Sequence, residues 1–290
     1  MIQLNDIKKM LSEQGYITGD ALAMSVFLSL QLNKPLLVEG PAGVGKTEIA
    51  KVMAKALQTD LIRLQCYEGL DQSAALYEWN YQRQLLAIKA REGGDADEVE
   101  TAIFSERYLL ARPLLAAIRQ DTAPVLLIDE VDRADEEFEA FLLELLSDFQ
   151  VSIPELGTVV ARAVPRVVLT SNGTRELSDA LRRRCLYHHL DYPPPERETR
   201  IILTRVPGIS VSLAQQIARM VSALRREELA KTPGVAETLD WARALLGFGV
   251  ADLGEGPEAV FDTLACMLKT HEDRARITRQ VTDRLIAKVA

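Results

Sequence analysis

The residues with the clearest chemical meaning lie between positions 40 and 47, where the sequence fits the phosphate-loop pattern G-x-x-x-x-G-K-[ST]. The glycines of such a loop allow backbone conformations in which successive N–H groups point at one anion. The lysine adds a positive charge that reaches the outer phosphates, and the hydroxyl after it is placed to ligate magnesium. We therefore predict that the nucleotide is bound by Gly40, Pro41, Ala42, Gly43, Val44, Gly45, Lys46 and Thr47.

The elements on both sides of this loop fit a nucleotide site. Leu36 to Val38 are predicted to form a buried strand that leads directly into the loop. The helix that follows would point its positive dipole end at the same phosphate groups. A glycine-rich turn that matches the pattern by chance is the alternative, but it does not account for the apolar helix face that follows, formed by Ile49, Val52, Met53 and Leu57.

Two acidic residues, Asp129 and Glu130, directly follow the apolar run Val125 to Ile128. A strand that is apolar on both faces belongs in the middle of a covered parallel sheet, and ligands of such sheets lie beyond the carboxyl ends of the strands. We therefore expect both acids beside the phosphate loop, where they would serve magnesium and water. A surface turn would also tolerate two acids, but their position after so apolar a run is better explained by the site.

A second apolar strand, Arg166 to Asn172, is predicted to end at the same edge of the sheet. A strand-terminal asparagine is often only a turn residue, so Asn172 by itself would count for little. The basic run Arg182-Arg183-Arg184 follows this strand. A solvated face or a nucleic-acid patch would account for three arginines, but neither explains their position directly after that strand.

The chain is predicted to form two domains, because single cores stop growing near 290 residues. Pro193-Pro194-Pro195 marks the boundary, since it cannot continue either regular element. Residues 1–192 would form an α/β nucleotide-binding domain. Residues 193–290 show helical periodicity throughout and would form a helical domain.

Two extra segments are expected within the first domain. Residues 67–123 are longer than a simple crossover requires, and an insertion at about 67–100 contains an aromatic block at 77–83 and a tip rich in glycine and acids at 93–98. The aromatic block is either a packed face of the fold or an insertion that grips a partner. Residues 150–162 are predicted to form a β-hairpin.

Composition excludes several classes of protein. The net charge of -8 argues against a general nucleic-acid-binding protein, because backbone phosphates would be repelled unless a local basic patch dominated. The three cysteines show neither metal-ligand nor disulfide spacing, so a reducing cytoplasm is the simplest location. The three histidines have no ligand-spaced partners, and we interpret them as structural. No apolar segment is long enough to span a membrane, which leaves peripheral membrane association open.

The phosphate loop, the acid pair, the strand with a polar end, the arginine run and the helical tail, in this order, resemble the AAA+ ATPases. Within them the chain is similar to the MoxR family, whose members carry an insertion near the second helix and a hairpin before the asparagine-bearing strand. Residues 38–47, 128–135 and 169–184 match most closely. The block at 77–83 is similar to the branch encoded beside carbon monoxide dehydrogenase-type molybdenum enzymes (CoxD-like). The resemblance implies an α/β fold: a P-loop NTPase parallel sheet with flanking helices, followed by a small all-helical lid.

The resemblance also implies a role for each polar residue of the site. Asp129 would hold magnesium through water, and Glu130 would orient and polarise the attacking water. Asn172 would help to position that water against the terminal phosphate. These roles, with the Lys46 charge on the phosphates, would make the protein an ATPase with ATP and Mg²⁺ as its cofactors.

Arginines complete the site that the resemblance implies. Arg184, the last of the arginine run, resembles the arginine finger that AAA+ subunits offer to a neighbouring active site, and Arg183 is the alternative finger. Such a finger contributes roughly 10³ to 10⁵ in rate, so hydrolysis would depend on assembly. Arg243 falls where the lid of the family contacts the nucleotide phosphates of its own subunit. An exposed helix arginine is the alternative interpretation of Arg243.

The implied function is that of a ring ATPase, hexameric by resemblance, which remodels a protein partner. That partner would be a metalloenzyme awaiting its metal centre, helped by a von Willebrand factor A domain protein. The hairpin and the aromatic block would face the pore of the ring. A nucleic-acid motor or clamp-loading ATPase uses the same core and is the main alternative, and the acidic net charge counts against it. A third possibility is a nucleotide-dependent binding switch with little turnover, against which the intact acid pair argues.

Overall fold

Five parallel strands form the central sheet of the computed structural model, which describes residues 4–90 and 101–289. The strands are β1 (Leu36–Glu39), β2 (Leu61–Gln65), β5 (Val125–Asp129), β8 (Arg166–Ser171) and β9 (Leu186–His189). In space they follow the order β2-β5-β8-β1-β9. Every residue of β5 is buried, as expected for a parallel strand that is covered on both faces.

The register brings the polar ends of these strands to one edge of the sheet. Gln65 of β2 lies opposite Asp129 of β5. Ile128 lies opposite Leu169, so Asp129 and the polar end of β8, Thr170 and Ser171, follow at the same level. The structure therefore places the acid pair at the carboxyl edge of a parallel sheet, and the α/β fold class is confirmed.

Helices pack around a core that includes the apolar residues of the sheet. Side-chain caps begin two of these helices: Asp135 accepts a hydrogen bond from the N–H of Phe138 at 2.8 Å, and Ser178 accepts one from the N–H of Leu181 at 3.3 Å. Outside the aromatic block, the helices before β9 include α1 (Leu4–Glu13), α2 (Asp20–Leu32), α3 (Lys46–Ala56), α6 (Pro113–Ile118), α7 (Glu136–Asp148) and α8 (Asp179–Arg184), and 3-10 turns lie at Glu106–Tyr108 and Val131–Arg133.

The aromatic block belongs to a small structure of its own. It consists of α4 (Gln72–Ala75), β3 (Tyr77–Trp79), α5 (Tyr81–Ala90) and β4 (Leu109–Ala111), and β3 pairs with β4 in antiparallel orientation. Trp79 is buried and packs edge-on against Phe104, with ring centroids 5.4 Å apart. Part of the block is therefore a packed face, as the first interpretation proposed, although Tyr81 is 62% exposed. The predicted tip at 93–98 lies outside the described residues.

The predicted hairpin is present as β6 (Gln150–Ile153) and β7 (Gly157–Val160), which pair in antiparallel orientation. Gly157 begins the second strand with φ +81°, a conformation that favours glycine. Val151 and Ile153 are buried in the core, whereas most of β7 is exposed. The hairpin is thus anchored through its first strand.

The chain divides into two compact units. The first comprises Met1–Ile7, Asp20–Glu39 and Thr47–His189, and the second comprises Lys8–Gly19, Gly40–Lys46 and Leu190–Ala290. Residues Gly40–Lys46 of the phosphate loop therefore group with the helical residues of the second unit. The predicted boundary between residues 192 and 193 stays a prediction.

The second unit has a helical core of its own. Trp241 lies at 0% exposure in this core, and its indole N–H donates to the Thr263 hydroxyl at 2.9 Å. Residues from Leu213 to Leu285 on successive helices supply the apolar faces, as the periodicity predicts. The helices are α9 (Pro195–Arg205), α10 (Val211–Leu224), α11 (Val235–Gly247), α12 (Pro257–Thr263), α13 (His271–Arg276) and α14 (Arg279–Ile286), with a 3-10 turn at Leu264–Cys266.

Candidate functional site

The phosphate loop runs from the end of β1 to the start of α3. Gly43 and Gly45 have φ of +77° and +96°, so the loop uses the backbone freedom that the pattern predicts. Lys46 is 6% exposed, and its ammonium donates to the carbonyls of Gly40 at 2.7 Å and Pro41 at 2.8 Å. The lysine is thus held over its own loop, where an anion would meet both its charge and the loop N–H groups.

Two glycines of the loop are required by close backbone contacts. A side chain at Gly40 would place its Cβ 2.1 Å from the Leu190 carbonyl oxygen. A Cβ at Gly43 would lie 2.9 Å from the Cα of Gly234, and the N–H of Val235 donates to the Gly43 carbonyl at 2.8 Å. The first turn of α11 therefore packs directly on the phosphate loop. Gly234 carries no signal of this in the sequence, because the contact joins segments far apart in the chain.

The acid end of β5 is organised by two threonine hydroxyls. Thr47 Oγ1 donates to Asp129 Oδ1 at 3.0 Å, and Thr170 Oγ1 donates to the same oxygen at 2.6 Å. The Thr170 hydroxyl also accepts a hydrogen bond from the N–H of Glu130 at 2.9 Å. Thr170 therefore fixes both acids of the pair, a role that sequence reasoning missed although it predicted the polar end of this strand.

Glu130 occupies an unusual backbone conformation. Its φ of 55° and ψ of 49° lie in the left-handed region, which a non-glycine residue rarely adopts without a reason. Its carboxylate lies 3.5 Å from Arg133 and is 35% exposed, whereas that of Asp129 is 4% exposed. The buried acid and the more exposed acid thus have different surroundings, in keeping with a metal-holding and a water-activating role.

The donor set suits a magnesium ion bound with a nucleotide. Thr47 and Asp129 supply hard oxygen atoms within 3.0 Å of each other, and Mg²⁺ uses one or two such protein ligands together with phosphates and waters. Within residues 4–90 and 101–289, no cluster of three His, Cys, Asp or Glu residues could form an all-protein metal cage. These residues fit the predicted Mg²⁺ site.

Arg63 was not predicted from sequence as part of this site. Its guanidinium lies 2.6 Å from Asp129 Oδ2 and forms an ion pair with it. The possible signal was the position of Arg63 two residues before the end of β2. That signal acquires meaning only once β2 is known to lie beside β5.

Asp132 connects the acid end of β5 with Asn172. Its Oδ2 accepts hydrogen bonds from the N–H of Asn172 at 3.1 Å, from the N–H of Thr174 at 3.0 Å and from the Thr174 hydroxyl at 2.6 Å. Burial would raise the pKa of Asp132, but these hydrogen bonds outweigh it and lower the pKa below its usual value. Asn172 is therefore held to the segment that follows Glu130 by a carboxylate that stays ionised near neutral pH.

Cys66, directly after β2, takes no part in this chemistry. Burial, and then the negative charges of Asp129, Asp132 and Glu130, raise the pKa of its thiol to about 12. The residue stays a neutral thiol near neutral pH, and its N–H donates to the Asp129 carbonyl at 2.8 Å.

The three arginines of α8 have different surroundings. Arg182 lies 3.6 Å from Glu39 at the end of β1. Arg183 pairs with Asp179 at 3.2 Å, and its side chain is 81% exposed. Arg184 is also exposed, and its Nε donates to Ser147 Oγ at 2.6 Å. Arg183 and Arg184 are both accessible at the surface of this unit, so the choice of finger stays a prediction.

Arg243 lies on an exposed part of α11, where it pairs with Asp240 at 3.0 Å. Since α11 rises about 1.5 Å per residue, Arg243 lies roughly 12 Å along the helix from Val235, which contacts the phosphate loop. Its predicted contact with the phosphates stays a prediction.

A strand, a glycine-rich phosphate loop and a helix, with an acid pair at the carboxyl end of a central parallel strand, define a P-loop nucleotide-binding protein. Residues 35–185 match the family described as AAA domain (dynein-related subfamily). This match spans more than half of the chain, and the protein belongs to that family as an AAA+ ATPase of MoxR-like type. The resemblance deduced from the motifs is confirmed at this level.

Individual relatives agree with the family. The chain is 26% identical over 225 residues to the denitrification regulatory protein NirQ of Pseudomonas aeruginosa, covering 74% of this chain and 77% of the relative. It is 24% identical over 260 residues to NirQ of Stutzerimonas stutzeri, covering 87% and 84%. Among solved structures, a point mutant of RuvB from Thermotoga maritima superposes with a TM-score of 0.51 over 97% of this chain and 73% of RuvB. At 16% identity, the likeness to RuvB shows the fold alone.

No helix within the described ranges is both long and apolar enough to cross a bilayer.

Proposed function

We propose that the protein hydrolyses ATP within a ring of identical subunits, hexameric by family resemblance, and uses the energy to remodel a partner metalloenzyme. The observation that carries the hydrolytic part is the arrangement around Asp129. Its carboxylate lies within hydrogen-bond distance of the Thr47 hydroxyl. The buried Thr170 binds the N–H of Glu130 to β8, and the buried Asp132 binds the N–H of Asn172 to the segment after β5.

The chain's own residues divide the work of this reaction. The phosphate loop and Lys46 would bind and orient the triphosphate, and Thr47 and Asp129 would hold a magnesium ion, which supplies charge stabilisation to the phosphates. Glu130 would take up the proton of the attacking water, and Asn172 would keep that water in line. Arg184, or Arg183 in its place, would reach the site of a neighbouring subunit.

The finer proposal concerns the partner. The branch resemblance of residues 77–83 favours a carbon monoxide dehydrogenase-like molybdenum hydroxylase as the client, acting together with a von Willebrand factor A domain protein. The relatives named NirQ are described as denitrification regulatory proteins, which supports a link to a specialised enzyme system but names no client. The exposed hairpin strand β7 and Tyr81 would contact the client. A cytoplasmic location is part of this proposal.

Two substitutions in one experiment test the hydrolytic proposal. Lys46→Ala should abolish binding of ATP, whereas Glu130→Gln should retain it and lower hydrolysis by roughly 10² to 10⁴, the usual contribution of a general base. Equilibrium binding of a fluorescent ATP analogue and phosphate release would be measured on the same preparations. A Lys46→Ala protein that binds ATP as tightly as the wild type would overturn the proposal.

The phosphate-release assay also tests assembly. Phosphate release per subunit should rise with protein concentration in the wild type and lose that dependence in Arg184→Ala. Equal turnover by both proteins, with no dependence on protein concentration, would refute a shared site. Co-purification tests the client: the Glu130→Gln protein, held with ATP in its native extract, should retain a molybdenum hydroxylase subunit. Stimulation of ATP hydrolysis by DNA would instead favour the nucleic-acid motor.

A further inference from the structure

Arg63 of β2 forms an ion pair with the predicted magnesium ligand. Its Nη2 lies 2.6 Å from Asp129 Oδ2 and 2.5 Å from Gln65 Oε1. Side chains alternate along a strand, so Arg63 and Gln65 share the exposed face of β2 while Leu64 between them is buried. Gln65 lies opposite Asp129 in the register, so the side chain of Arg63, two residues earlier on the same face of β2, can reach the acid.

The two carboxylate oxygens of Asp129 accept hydrogen bonds from different kinds of donor. Oδ1 accepts from Thr170 at 2.6 Å and from Thr47 at 3.0 Å, both neutral hydroxyls. Oδ2 accepts from the Arg63 guanidinium at 2.6 Å, with Thr47 more distant at 3.3 Å. The charge of Asp129 is therefore balanced from the side of Oδ2 by a protein cation.

That cation is replaceable. The side chain of Arg63 is 48% exposed although that of its partner is 4% exposed, so the guanidinium can return to water without leaving a buried charge behind once another cation takes its place. A magnesium ion and a guanidinium repel each other and would compete for the same carboxylate.

We propose that Arg63 is a positioning residue that occupies Asp129 while magnesium is absent and is displaced when magnesium binds with the nucleotide. This inference rests on the proposed function, since it assigns a partner to the Asp129 of that site. Arg63 holds the carboxylate in place in the empty protein, and its charge sets the magnesium concentration at which the site fills.

Magnesium titration of nucleotide binding tests the role of Arg63. Fluorescence polarisation of N-methylanthraniloyl-ADP would be followed in wild type, Arg63→Gln and Arg63→Lys over a range of magnesium concentrations, and in EDTA. Arg63→Gln removes the charge at similar length and should lower the half-saturating magnesium concentration roughly three- to tenfold. Arg63→Lys keeps a cation and should lie between the two.

Arg162→Gln is the matched control. Arg162 pairs with Asp121 at 3.1 Å, and its side chain is 61% exposed, so the substitution removes a comparable charge from another part of the first unit. Its magnesium requirement should equal that of the wild type. A requirement that is unchanged or higher in Arg63→Gln would overturn the inference. Failure of the wild type to bind the nucleotide, with or without magnesium, would overturn the proposed function instead.

Discussion

Asp129 at the end of β5 and Glu198 in α9 are both almost completely buried, and both pair with an arginine. Their surroundings differ in one respect. Glu198 pairs with an arginine whose side chain is 8% exposed, whereas the arginine that pairs with Asp129 is 48% exposed. A buried acid closed in by buried partners maintains the fold, and a buried acid with a replaceable partner is available for a ligand.

The surroundings of Glu198 show what a closed site looks like. Arg225 binds its carboxylate through two nitrogens at 2.7 Å each, and the Thr238 hydroxyl lies 2.8 Å from it. The guanidinium also lies over the ring of Tyr192, 4.5 Å from its centroid, and its Nε donates to the Pro233 carbonyl at 2.9 Å. These contacts join α9, α10 and α11 next to the turn that carries Gly234.

The largest effect is expected at Glu198. Glu198→Gln should lower the free energy of unfolding by about 3 to 5 kcal/mol, because it leaves the buried Arg225 without a countercharge. Urea denaturation followed by circular dichroism would measure it. Asp240→Asn, which breaks an exposed ion pair on α11, should cost less than about 1 kcal/mol. Equal costs for the two variants would show that the Glu198 site is not closed as described.

Sequence reasoning was successful where the pattern is local. The strands β1, β5 and β8 are apolar runs that end in polar residues. Because the carboxyl ends of parallel strands share one edge of a sheet, the pattern predicts that Asp129 and Asn172 lie at the same edge. The hairpin β6-β7 and the helices of the second unit follow from periodicity in the same way.

Contacts between distant segments could not be predicted from sequence. The roles of Arg63 and Gly234 cannot be deduced from their local sequence, since they depend on β2 lying beside β5 and on α11 meeting the phosphate loop. The aromatic block was ambiguous for a related reason. Trp79 is buried because β3 pairs with β4, which lies about thirty residues further along the chain.

An intermediate effect, of a different kind, is expected at Asp129. Asp129→Asn keeps an oxygen that accepts from the threonine hydroxyls and releases Arg63 to water, so the free energy of unfolding should change by less than about 1 kcal/mol. Hydrolysis of ATP with magnesium should fall roughly 10- to 100-fold, the usual effect of weakening a metal site. Glu78→Gln, which releases the half-exposed Arg112, should change neither quantity. A stability loss in Asp129→Asn as large as that of Glu198→Gln would remove the distinction between the two acids.

His188 in β9 is a partly buried ionisable residue whose hydrogen-bond partner is neutral, in contrast to the arginine partners of Asp129 and Glu198. The Ser25 Oγ lies 3.1 Å from its Nδ1. Burial, and then the neighbouring His189, lower the pKa of His188. Above the unfolded value near 6.5 both states are neutral; below it the unfolded chain takes up a proton more readily, so the folded state loses stability as the pH falls. His188→Gln cannot titrate, so as the pH falls through the unfolded value near 6.5 the wild type should lose more unfolding free energy than the variant, which urea denaturation at several pH values would measure. If the unfolding free energies of the two proteins showed the same pH dependence, the His188 imidazole would accept its proton without loss of stability. Its surroundings would then compensate the added charge, as Arg63 compensates that of Asp129.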